Sequence, residues 1–323
     1  MSVPISVVVT VLDDRAGLSE LLAALAAQDD PAEEIVIVDA GSRDGSPEVI
    51  EYWRQRGLPI RVLASPGAGI SAGRNRGIVE AANECIAVTD AGCRPSPEWL
   101  AVIARALECN DFVGGTYVVD RDTPFEHAVS VSLYPDLEEA RGSLNPLVRA
   151  WLLAFGRRFL WGRSTGRSMA FRRECWELAG GFPENVAWGE DVAFSAAVPP
   201  DMRAVLAPDA VVAWRGRTTW EGNALMYWHY AKGDAMLGLE ARAVARACAW
   251  GLAAVLALRP GARSRLAMLA GGLAYTSVPF LRARRTGLAL RHWWRIPALL
   301  ALKDVSMLAG TFAGLRARRG AGR

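Results

Sequence analysis

The chain has 323 residues, of which 51% are hydrophobic, and this is enough apolar material for about two domains. Its five cysteines, at positions 85, 93, 109, 175 and 248, include no pair with the spacing of a zinc or redox site, which excludes a disulfide-rich scaffold. Residues 241–323 have a net charge of +14, whereas the first 240 residues have a net charge of −11. This asymmetry predicts two regions with different roles.

The first 120 residues alternate between apolar runs and helical patterns. We predict strands over residues 5–11, 35–39, 61–64, 85–89 and 112–119, with helices over 18–27, 46–57, 71–82 and 97–107. Because the chain begins with a strand, without a basic segment and a long apolar run, we expect no signal peptide. Buried strands that alternate with helices are typical of a parallel sheet covered on both faces, in which ligands bind beyond the carboxyl ends of the strands.

Acidic residues follow three of the predicted strands. Asp13 and Asp14 follow the first strand, Asp39 begins the loop after the second, and Asp90 ends the fourth. Each of them could simply cap a turn or a helix. Three such loops on one edge of one sheet indicate a binding site.

Arg74 lies in the helix predicted after the Gly67-Ala68-Gly69 loop. A glycine-rich loop that leads into a helix N-terminus can bind an anion, and an arginine one turn into the helix can contact a phosphate through two nitrogens. Together with the acidic loops, this arrangement predicts a nucleotide as the ligand.

A further acidic pair begins the helical stretch predicted over residues 192–198. Glu190 and Asp191 follow Trp188 and Gly189. Acidic residues in a first helical turn commonly interact with the helix dipole, which is one interpretation. The other is that Asp191 is a catalytic base in a pocket whose floor includes Trp188.

Five motifs, in this order and spacing, resemble glycosyltransferase family 2, whose members have the GT-A fold. The resemblance covers about residues 3–238. The motifs are SVVVTVLDD at 6–14, VDAGSRDGS at 38–46, GRNRG at 73–77, TDAG at 89–92, and GFP at 181–183 with ED at 190–191. The resemblance implies an inverting transfer of a sugar from a nucleoside diphosphate sugar to an acceptor hydroxyl.

The resemblance also implies a role for each matching residue of the donor site. Asp14 and Asp39 would contact the base and ribose of the nucleotide, and Arg74 would lie near the diphosphate. Asp90 would face the ribose or the diphosphate. On the acceptor side, Asp191 would be the general base, beside Trp188 and Glu190.

The chain departs from the family pattern at a position that concerns metal binding. The family's Asp-x-Asp motif usually binds Mg²⁺ or Mn²⁺ through its last aspartate, and here that residue is Gly92. A later histidine often completes the site, but residues 211–217 contain none. A divalent metal on Asp90 and the phosphates is one interpretation. In the other, Arg215 or Arg217 takes its place at the departing diphosphate.

The C-terminal region, residues 239–323, combines apolar runs with arginines. The runs cover 247–258, 266–281 and 305–315, and the longest is shorter than the ~20 residues that span a bilayer upright. Arginines flank the first two runs on every side, which conflicts with the positive-inside rule for a spanning hairpin. We therefore predict helices that lie on the membrane surface, at the cytoplasmic face, with a soluble helical domain as the alternative. The apolar runs argue against nucleic acid as a partner.

The predicted fold class is α/β: a GT-A domain, Rossmann-like with a mostly parallel sheet, over residues 1–238, followed by a membrane-associating helical region. Within the GT-A domain, residues 1–120 would bind the nucleotide and residues 121–238 the acceptor. Membrane attachment makes a lipid-linked acceptor one candidate. Two alternative functions are a nucleotidyltransferase and a catalytically silent protein that binds sugar nucleotides.

Overall fold

The structure is a computed structural model. It describes residues 3–142, 144–156, 158–186, 188–259 and 261–321. The chain divides into two compact units. The first unit contains Met1–Val118 and Phe159–Arg215, and the second contains Val119–Arg158 and Gly216–Arg323.

The strands and helices of the described residues are numbered in chain order. The strands are β1 (Ile5–Val11), β2 (Glu34–Asp39), β3 (Ile60–Ala64), β4 (Cys85–Asp90), β5 (Cys93–Pro95), β6 (Phe112–Val119), β7 (Met169–Arg172) and β8 (Ala204–Trp214). The helices are α1 (Arg15–Ala26), α2 (Ser46–Arg54), α3 (Ile70–Glu80), α4 (Trp99–Leu107), α5 (Pro124–Leu133), α6 (Leu137–Arg141), α7 (Pro146–Ala154), α8 (Arg173–Leu178), α9 (Glu190–Ala197), α10 (Trp220–Met236), α11 (Ala241–Leu258), α12 (Ala262–Arg285) and α13 (Arg295–Ala321).

The first unit is built on one sheet with the strand order β3-β2-β1-β4-β7-β6-β8-β5. Strands β3, β2, β1 and β4 are parallel, and the apolar residues of β1, β2 and β4 are buried on both faces, as expected for a sheet covered by helices. One side of the sheet packs a core that includes Val8, Val36, Phe112, Phe171 and Phe194. The predicted α/β fold with flanking helices is confirmed.

The sheet is more mixed than the mostly parallel sheet that the sequence predicts. Strand β7 pairs antiparallel with β4 and with β6, and β5 pairs antiparallel with β8. The alternation of strand and helix that produces parallel crossovers ends after β4, so the later strands join the sheet through different connections. The consequence for the site is that β7 lies directly beside β4, the strand that ends in Asp90.

The second unit is helical. Helices α5 and α10 pack on α13, and the buried face of α13 includes Ile296, Leu299 and Leu300. A Cβ atom added at Gly310 would overlap the backbone carbonyl of Trp228 in α10, so glycine allows the two helices to approach closely. Residues 119–158 and 216–238, which the sequence analysis assigns to the GT-A domain, therefore belong to the same compact unit as the C-terminal helices.

Helices α11 and α12 are exposed over much of their length. Large apolar side chains that face solvent here include Leu252, Leu258, Leu266, Leu269 and Leu273. Both helices are longer than the apolar runs that predict them. Among the described residues, Ala262–Arg285 and Leu290–Gly320 are long and apolar enough to cross a membrane by length and composition alone. In an apolar stretch of 18 residues within each of these segments, 28% and 44%, respectively, is buried.

Candidate active site

The loops after β1 and β2 are joined by hydrogen bonds at the carboxyl edge of the sheet. The backbone nitrogen of Asp13 donates to Ser42 Oγ at 3.0 Å, and the backbone nitrogen of Arg43 donates to Asp13 Oδ1 at 2.7 Å. Asp13 has a φ of 48°, a left-handed conformation that favours glycine or residues such as aspartate. These bonds hold the two acidic loops side by side.

Asp14 and Asp39 shape the loops that carry them. Asp14 is the N-cap of α1, where its Oδ1 accepts from the backbone nitrogen of Gly17 at 3.0 Å. Oδ1 of Asp39 accepts from the backbone nitrogen and the hydroxyl of Ser42, at 2.8 and 2.7 Å. In the sheet register, Val11 pairs with Asp39 and Thr10 pairs with Asp90. The structure therefore brings the three predicted acidic loops to one edge, and at least two of the carboxylates also cap turns.

Arg74 is the centre of a buried ion-pair network. Its side chain is 2% exposed, and its Nη2 donates to Asp90 Oδ1 at 2.6 Å while its Nη1 donates to Glu190 Oε1 at 2.8 Å. Glu190 lies 116 positions away in the sequence. The network therefore connects the predicted donor side of the site, at the end of β4, to the predicted acceptor side, at the start of α9.

The charges of this network shift the pKa values of its members. Burial alone would lower the pKa of Arg74, but the carboxylates of Asp90, Glu190 and Asp191 raise it above its ordinary value, so the guanidinium keeps its charge. Burial and the neighbouring Asp191 raise the pKa of Glu190, and Arg74 acts in the opposite direction. Arg74 therefore stabilises the ionised form of a carboxylate that burial would neutralise.

Asp191 is held beside this network by a glycine loop. Its Oδ2 accepts from the backbone nitrogen of Gly166 at 3.1 Å, and its Oδ1 accepts from the backbone nitrogen of Val192 at 2.8 Å. A Cβ atom added at Gly166 would overlap the guanidinium of Arg74. Glycine is therefore required here because the same residue orients Asp191 and makes room for Arg74. Gly166 is not among the site residues predicted from the sequence.

The residues around Asp90 fit a divalent metal poorly. Asp90 already contacts Arg74 through Oδ1, and Gly92 contributes no carboxylate. Burial, together with Asp90, raises the pKa of the Cys93 thiol to about 12, although Arg167 acts in the opposite direction. A soft sulfur ligand also suits a hard ion such as Mg²⁺ poorly. Within the described parts of the chain, no three His, Cys, Asp or Glu side chains form a group that could hold an ion.

The remaining predicted site residues have separate environments. Arg215 follows β8 and donates to Glu20 Oε1 of α1 at 3.0 Å, and Arg94 contacts the same carboxylate at 2.9 Å. Arg217 belongs to the second unit, where its backbone carbonyl accepts from Asn223 at 2.8 Å. Trp188 is partly exposed, two residues before α9. The functional roles of these residues stay predictions.

Arg167 is a cation near Asp90 that the sequence analysis does not single out. Its backbone carbonyl accepts from Thr89 Oγ1 at 2.8 Å, next to Asp90. Its guanidinium carbon lies 4.0 Å from the ring centroid of Trp214 and 5.1 Å from that of Tyr117. The only sequence signal is an arginine between a glycine and a serine just before an apolar strand, which is weak.

The part of the chain that carries most of these motifs matches a known protein family. Residues 6–163 match the model described as "Glycosyl transferase family 2". The matched segment belongs to glycosyl transferase family 2. The matched residues include the acidic loops after β1, β2 and β4 and the Arg74 helix, so the resemblance on which the sequence analysis relies is confirmed.

Individual relatives are distant. The chain is 29% identical over 196 residues to the uncharacterised glycosyltransferase EpsJ of Bacillus subtilis (strain 168), which covers 59% of this chain and 54% of that protein. It is 26% identical over 139 residues to dolichol-phosphate mannosyltransferase of Saccharomyces cerevisiae, covering 40% of this chain and 52% of that protein. The chain spans between 22% and 54% of the lengths of the curated relatives it matches.

A solved structure supports the fold. The mannosyltransferase PcManGT from Pyrobaculum calidifontis, in complex with GDP-Man and Mn²⁺, superposes with a TM-score of 0.61 over 95% of this chain and 88% of that chain. The sequence identity is 20%. At this identity the likeness establishes the GT-A fold of the family 2 chain and nothing about its ligands.

Proposed function

We propose that the chain is an inverting glycosyltransferase that transfers a sugar from a nucleoside diphosphate sugar to an acceptor hydroxyl. The observation that supports this function best is the arrangement of Asp191 beside the Arg74 network. Asp191 is half-buried and oriented by Gly166, next to a guanidinium that also contacts Asp90. In the proposed reaction, the proton acceptor would therefore lie close to Asp90, which is proposed to contact the donor.

The proposed reaction assigns one chemical task to each group. The acceptor oxygen forms a bond to the anomeric carbon, and the bond from this carbon to the diphosphate oxygen breaks, with its electron pair leaving on the diphosphate. The proton of the acceptor hydroxyl moves to Asp191, which acts as general base. Positive charge stabilises the diphosphate as it departs. Attack from the face opposite the leaving group inverts the anomeric configuration.

The other side chains would position the two substrates. Asp14 and Asp39 are proposed to contact the base and ribose, and Asp90 the ribose or diphosphate. Trp188 is proposed to border the acceptor, and Glu190 to hold Arg74 through the 2.8 Å bond. Arg215 and Arg217 stay candidate contacts of the diphosphate. No step is assigned to a metal ion, because the residues around Asp90 fit one poorly.

The proposed location is the cytoplasmic face of the cell membrane. Exposed apolar residues along α11 and α12 support this location, and so do the arginines at 259, 263 and 265, near the connection between the two helices. Apolar side chains can enter the acyl boundary while arginines contact anionic headgroups. A membrane position makes a lipid-linked acceptor reasonable, and the relative named dolichol-phosphate mannosyltransferase is consistent with one.

Transfer activity is the direct test of the proposed reaction. Purified protein would be incubated with a panel of UDP-, GDP- and dTDP-sugars, with bacterial lipid extract as acceptor, while release of the nucleoside diphosphate is measured. Asp191→Asn should lower the rate about 10²- to 10⁴-fold without a large change in nucleotide affinity. A variant with the wild-type rate would remove Asp191 from the mechanism. A product that retains the donor's anomeric configuration by NMR would contradict inversion.

The same assay distinguishes the alternative functions. Nucleotidyl transfer would release pyrophosphate from a nucleoside triphosphate, rather than a nucleoside diphosphate from a sugar donor. A silent binding protein would bind nucleoside diphosphates, detected as a rise in melting temperature, but would release none from any donor.

Flotation with lipid vesicles tests the membrane location. Vesicles of phosphatidylglycerol and phosphatidylcholine should carry the intact protein, and salt should weaken this binding. Leu252→Glu or Leu269→Glu should reduce flotation severalfold. The matched control is Val79→Glu, an equally exposed apolar residue on α3 of the first unit, which should float like wild type. Equal flotation of all variants would contradict attachment through α11 and α12.

A further inference from the structure

We infer that Asn75 is a positioning residue that fastens the proposed acceptor side of the site to helix α3. This inference rests on the proposed glycosyltransferase function, and it gives a role to a residue that the sequence analysis names only within the GRNRG motif. Asn75 contacts Phe182, and the preceding residue, Arg74, contacts Glu190. Two consecutive residues of one helix therefore hold the two ends of residues 182–190.

Asn75 forms hydrogen bonds through both polar atoms of its carboxamide. Its Nδ2 donates to the backbone carbonyl of Phe182 at 2.8 Å and to Glu184 Oε1 at 2.9 Å. Its Oδ1 accepts from the backbone nitrogen of Phe182 at 2.8 Å and from Trp176 Nε1 at 3.1 Å. An amide side chain has two donor hydrogens and two acceptor lone pairs, so these bonds use its whole capacity. The backbone of Phe182 is thus held through both its carbonyl and its nitrogen.

The backbone before Phe182 is shaped for this contact. Gly180 and Gly181 have φ values of 80° and 76°, a left-handed conformation that favours glycine. A Cβ atom added at Gly181 would lie 3.1 Å from Asn75 Oδ1 and 3.3 Å from Trp176 Nε1, which is too close for the carboxamide to stay where it is. The two glycines turn the chain after α8 so that the backbone of Phe182 meets the carboxamide.

The side chain of Phe182 extends the connection to α9. Its ring is 1% exposed, and its centroid lies 4.3 Å from the ring centroid of Phe194 in α9. The guanidinium carbon of Arg74 lies 5.3 Å from the Phe182 centroid. The core therefore holds the ring of Phe182, while Asn75 fixes the direction of the backbone that continues from it.

The effect of Asn75 on the reaction should differ from that of Asp191. Asp191 is oriented by the backbone nitrogen of Gly166, in a contact that does not involve Asn75. The loop residues that Asn75 contacts instead precede Trp188, which is proposed to border the acceptor. Loss of the Asn75 contacts should therefore weaken use of the acceptor, while nucleotide binding and proton transfer stay largely intact.

Asn75→Asp breaks these contacts with the smallest change of shape. A carboxylate has no donors, and it places a negative charge opposite the carbonyl of Phe182 and the carboxylate of Glu184. In the double variant Asn75→Asp/Glu184→Gln, the new glutamine amide can donate to that carboxylate, so the double variant should recover part of the loss. Asn110→Asp is the matched control, because Asn110 lies in the same unit and donates to the backbone carbonyl of Ala106 at 2.8 Å.

The experiment measures nucleoside diphosphate release at varied concentrations of the lipid extract, and hydrogen exchange of the peptide that covers residues 182–186. Thermal melting verifies that each variant is folded. In Asn75→Asp, the extract concentration that gives the half-maximal rate should rise at least about 5-fold, while the maximal rate stays within about 3-fold of wild type. Nucleoside diphosphate affinity, measured by calorimetry, should not change. The peptide should exchange faster in Asn75→Asp, the double variant should be intermediate in both measurements, and Asn110→Asp should match wild type.

Two results would overturn the inference. An unchanged half-maximal concentration, or unchanged exchange of the peptide, in a folded Asn75→Asp variant would show that Asn75 does not position the acceptor side. An equal loss of acceptor use and of nucleotide affinity would show a general structural role. Both results leave the proposed function standing. A wild-type protein that releases no nucleoside diphosphate from any donor would remove the proposed function and the role of Asn75 in it, whereas hydrogen exchange would still show whether Asn75 holds residues 182–186.

Discussion

Replacing Arg74 with methionine would show how strongly the ion-pair network stabilises the first unit. The Arg74 side chain is 2% exposed and contacts Asp90 and Glu190 at 2.6 and 2.8 Å. Methionine is of similar length but has no charge and no donors. The variant would therefore keep Glu190 in its buried position and remove the cation that it contacts.

The expected loss of stability follows from the burial of the two carboxylates. Removing one partner of a buried ion pair costs roughly 3–5 kcal/mol. The Asp90 side chain is 34% exposed, so water compensates part of its loss, and we expect a total of about 3 kcal/mol. For a unit of this size, such a loss lowers the melting temperature by about 6–12 °C.

The loss should depend on pH in a defined direction. Burial and Asp191 already raise the pKa of Glu190, and removal of Arg74 raises it further. In the folded Arg74→Met variant, the pKa of Glu190 exceeds its unfolded value of about 4.3. The destabilisation that comes from the unpaired charge of Glu190 is therefore absent at pH values below the unfolded pKa, and it grows as the pH rises toward the folded pKa. The difference in melting temperature between wild type and Arg74→Met should therefore be smaller at pH 5 than at pH 7.

Thermal melting at pH 5 and pH 7 would test this explanation with four proteins: wild type, Arg74→Met, Glu190→Gln and the double variant. Glutamine at position 190 has no charge to leave unpaired, so the double variant should melt higher than Arg74→Met at pH 7. A double variant no more stable than Arg74→Met, or a difference independent of pH, would refute the reasoning. A fifth protein, the control variant Arg203→Met, should melt like wild type.

Two other substitutions address the glycines of the site. Gly166→Ala should lower transfer activity at least about 10-fold, because its Cβ displaces the Arg74 guanidinium, whereas Gly162→Ala, which meets no atom within 4 Å, should have wild-type activity. Gly92→Asp should increase the dependence of activity on Mn²⁺, measured by titration after EDTA treatment, because it places a second carboxylate near Asp14. Identical metal titrations for wild type and Gly92→Asp would contradict that expectation.

The parallel half of the sheet could be predicted from local sequence. Strand β1 has the predicted bounds, and β2, β3 and β4 agree to within one residue at each end, because continuous β-branched runs between glycine and aspartate turns have few alternative conformations. The predicted edge of acidic loops follows from these strands alone. The strands with antiparallel pairings carry no comparable alternation, so neither their order in the sheet nor the pairing of β7 with β4 could be predicted from the sequence.

The contacts between the two halves of the site could not be predicted from the sequence. Arg74 and Glu190 are separated by 116 positions, and each also has an ordinary interpretation as a residue in the first turns of a helix. The need for glycine at position 166 arises only because the Arg74 guanidinium passes that backbone. Arg167 likewise becomes notable only when three separate strands place Thr89, Tyr117 and Trp214 around it.

Glu190 and Asp191 are adjacent acids, and our proposal that Asp191 is the base depends on how each of them is held. Glu190 is buried and contacts the Arg74 guanidinium, whereas Asp191 is half-buried and is held through backbone nitrogens. A base must reach the hydroxyl from which it takes the proton, and the greater exposure of Asp191 is therefore our reason for proposing it rather than Glu190. Glu190→Gln keeps an oxygen that can accept from Arg74, and it should retain at least about a tenth of the wild-type rate, while Asp191→Asn loses about 10²-fold or more. The measurement is the initial rate of nucleoside diphosphate release at saturating donor for both variants. If Glu190→Gln lost more of the rate than Asp191→Asn, the base would be Glu190. The role of Arg74 would then be to hold this base rather than to hold Asp90.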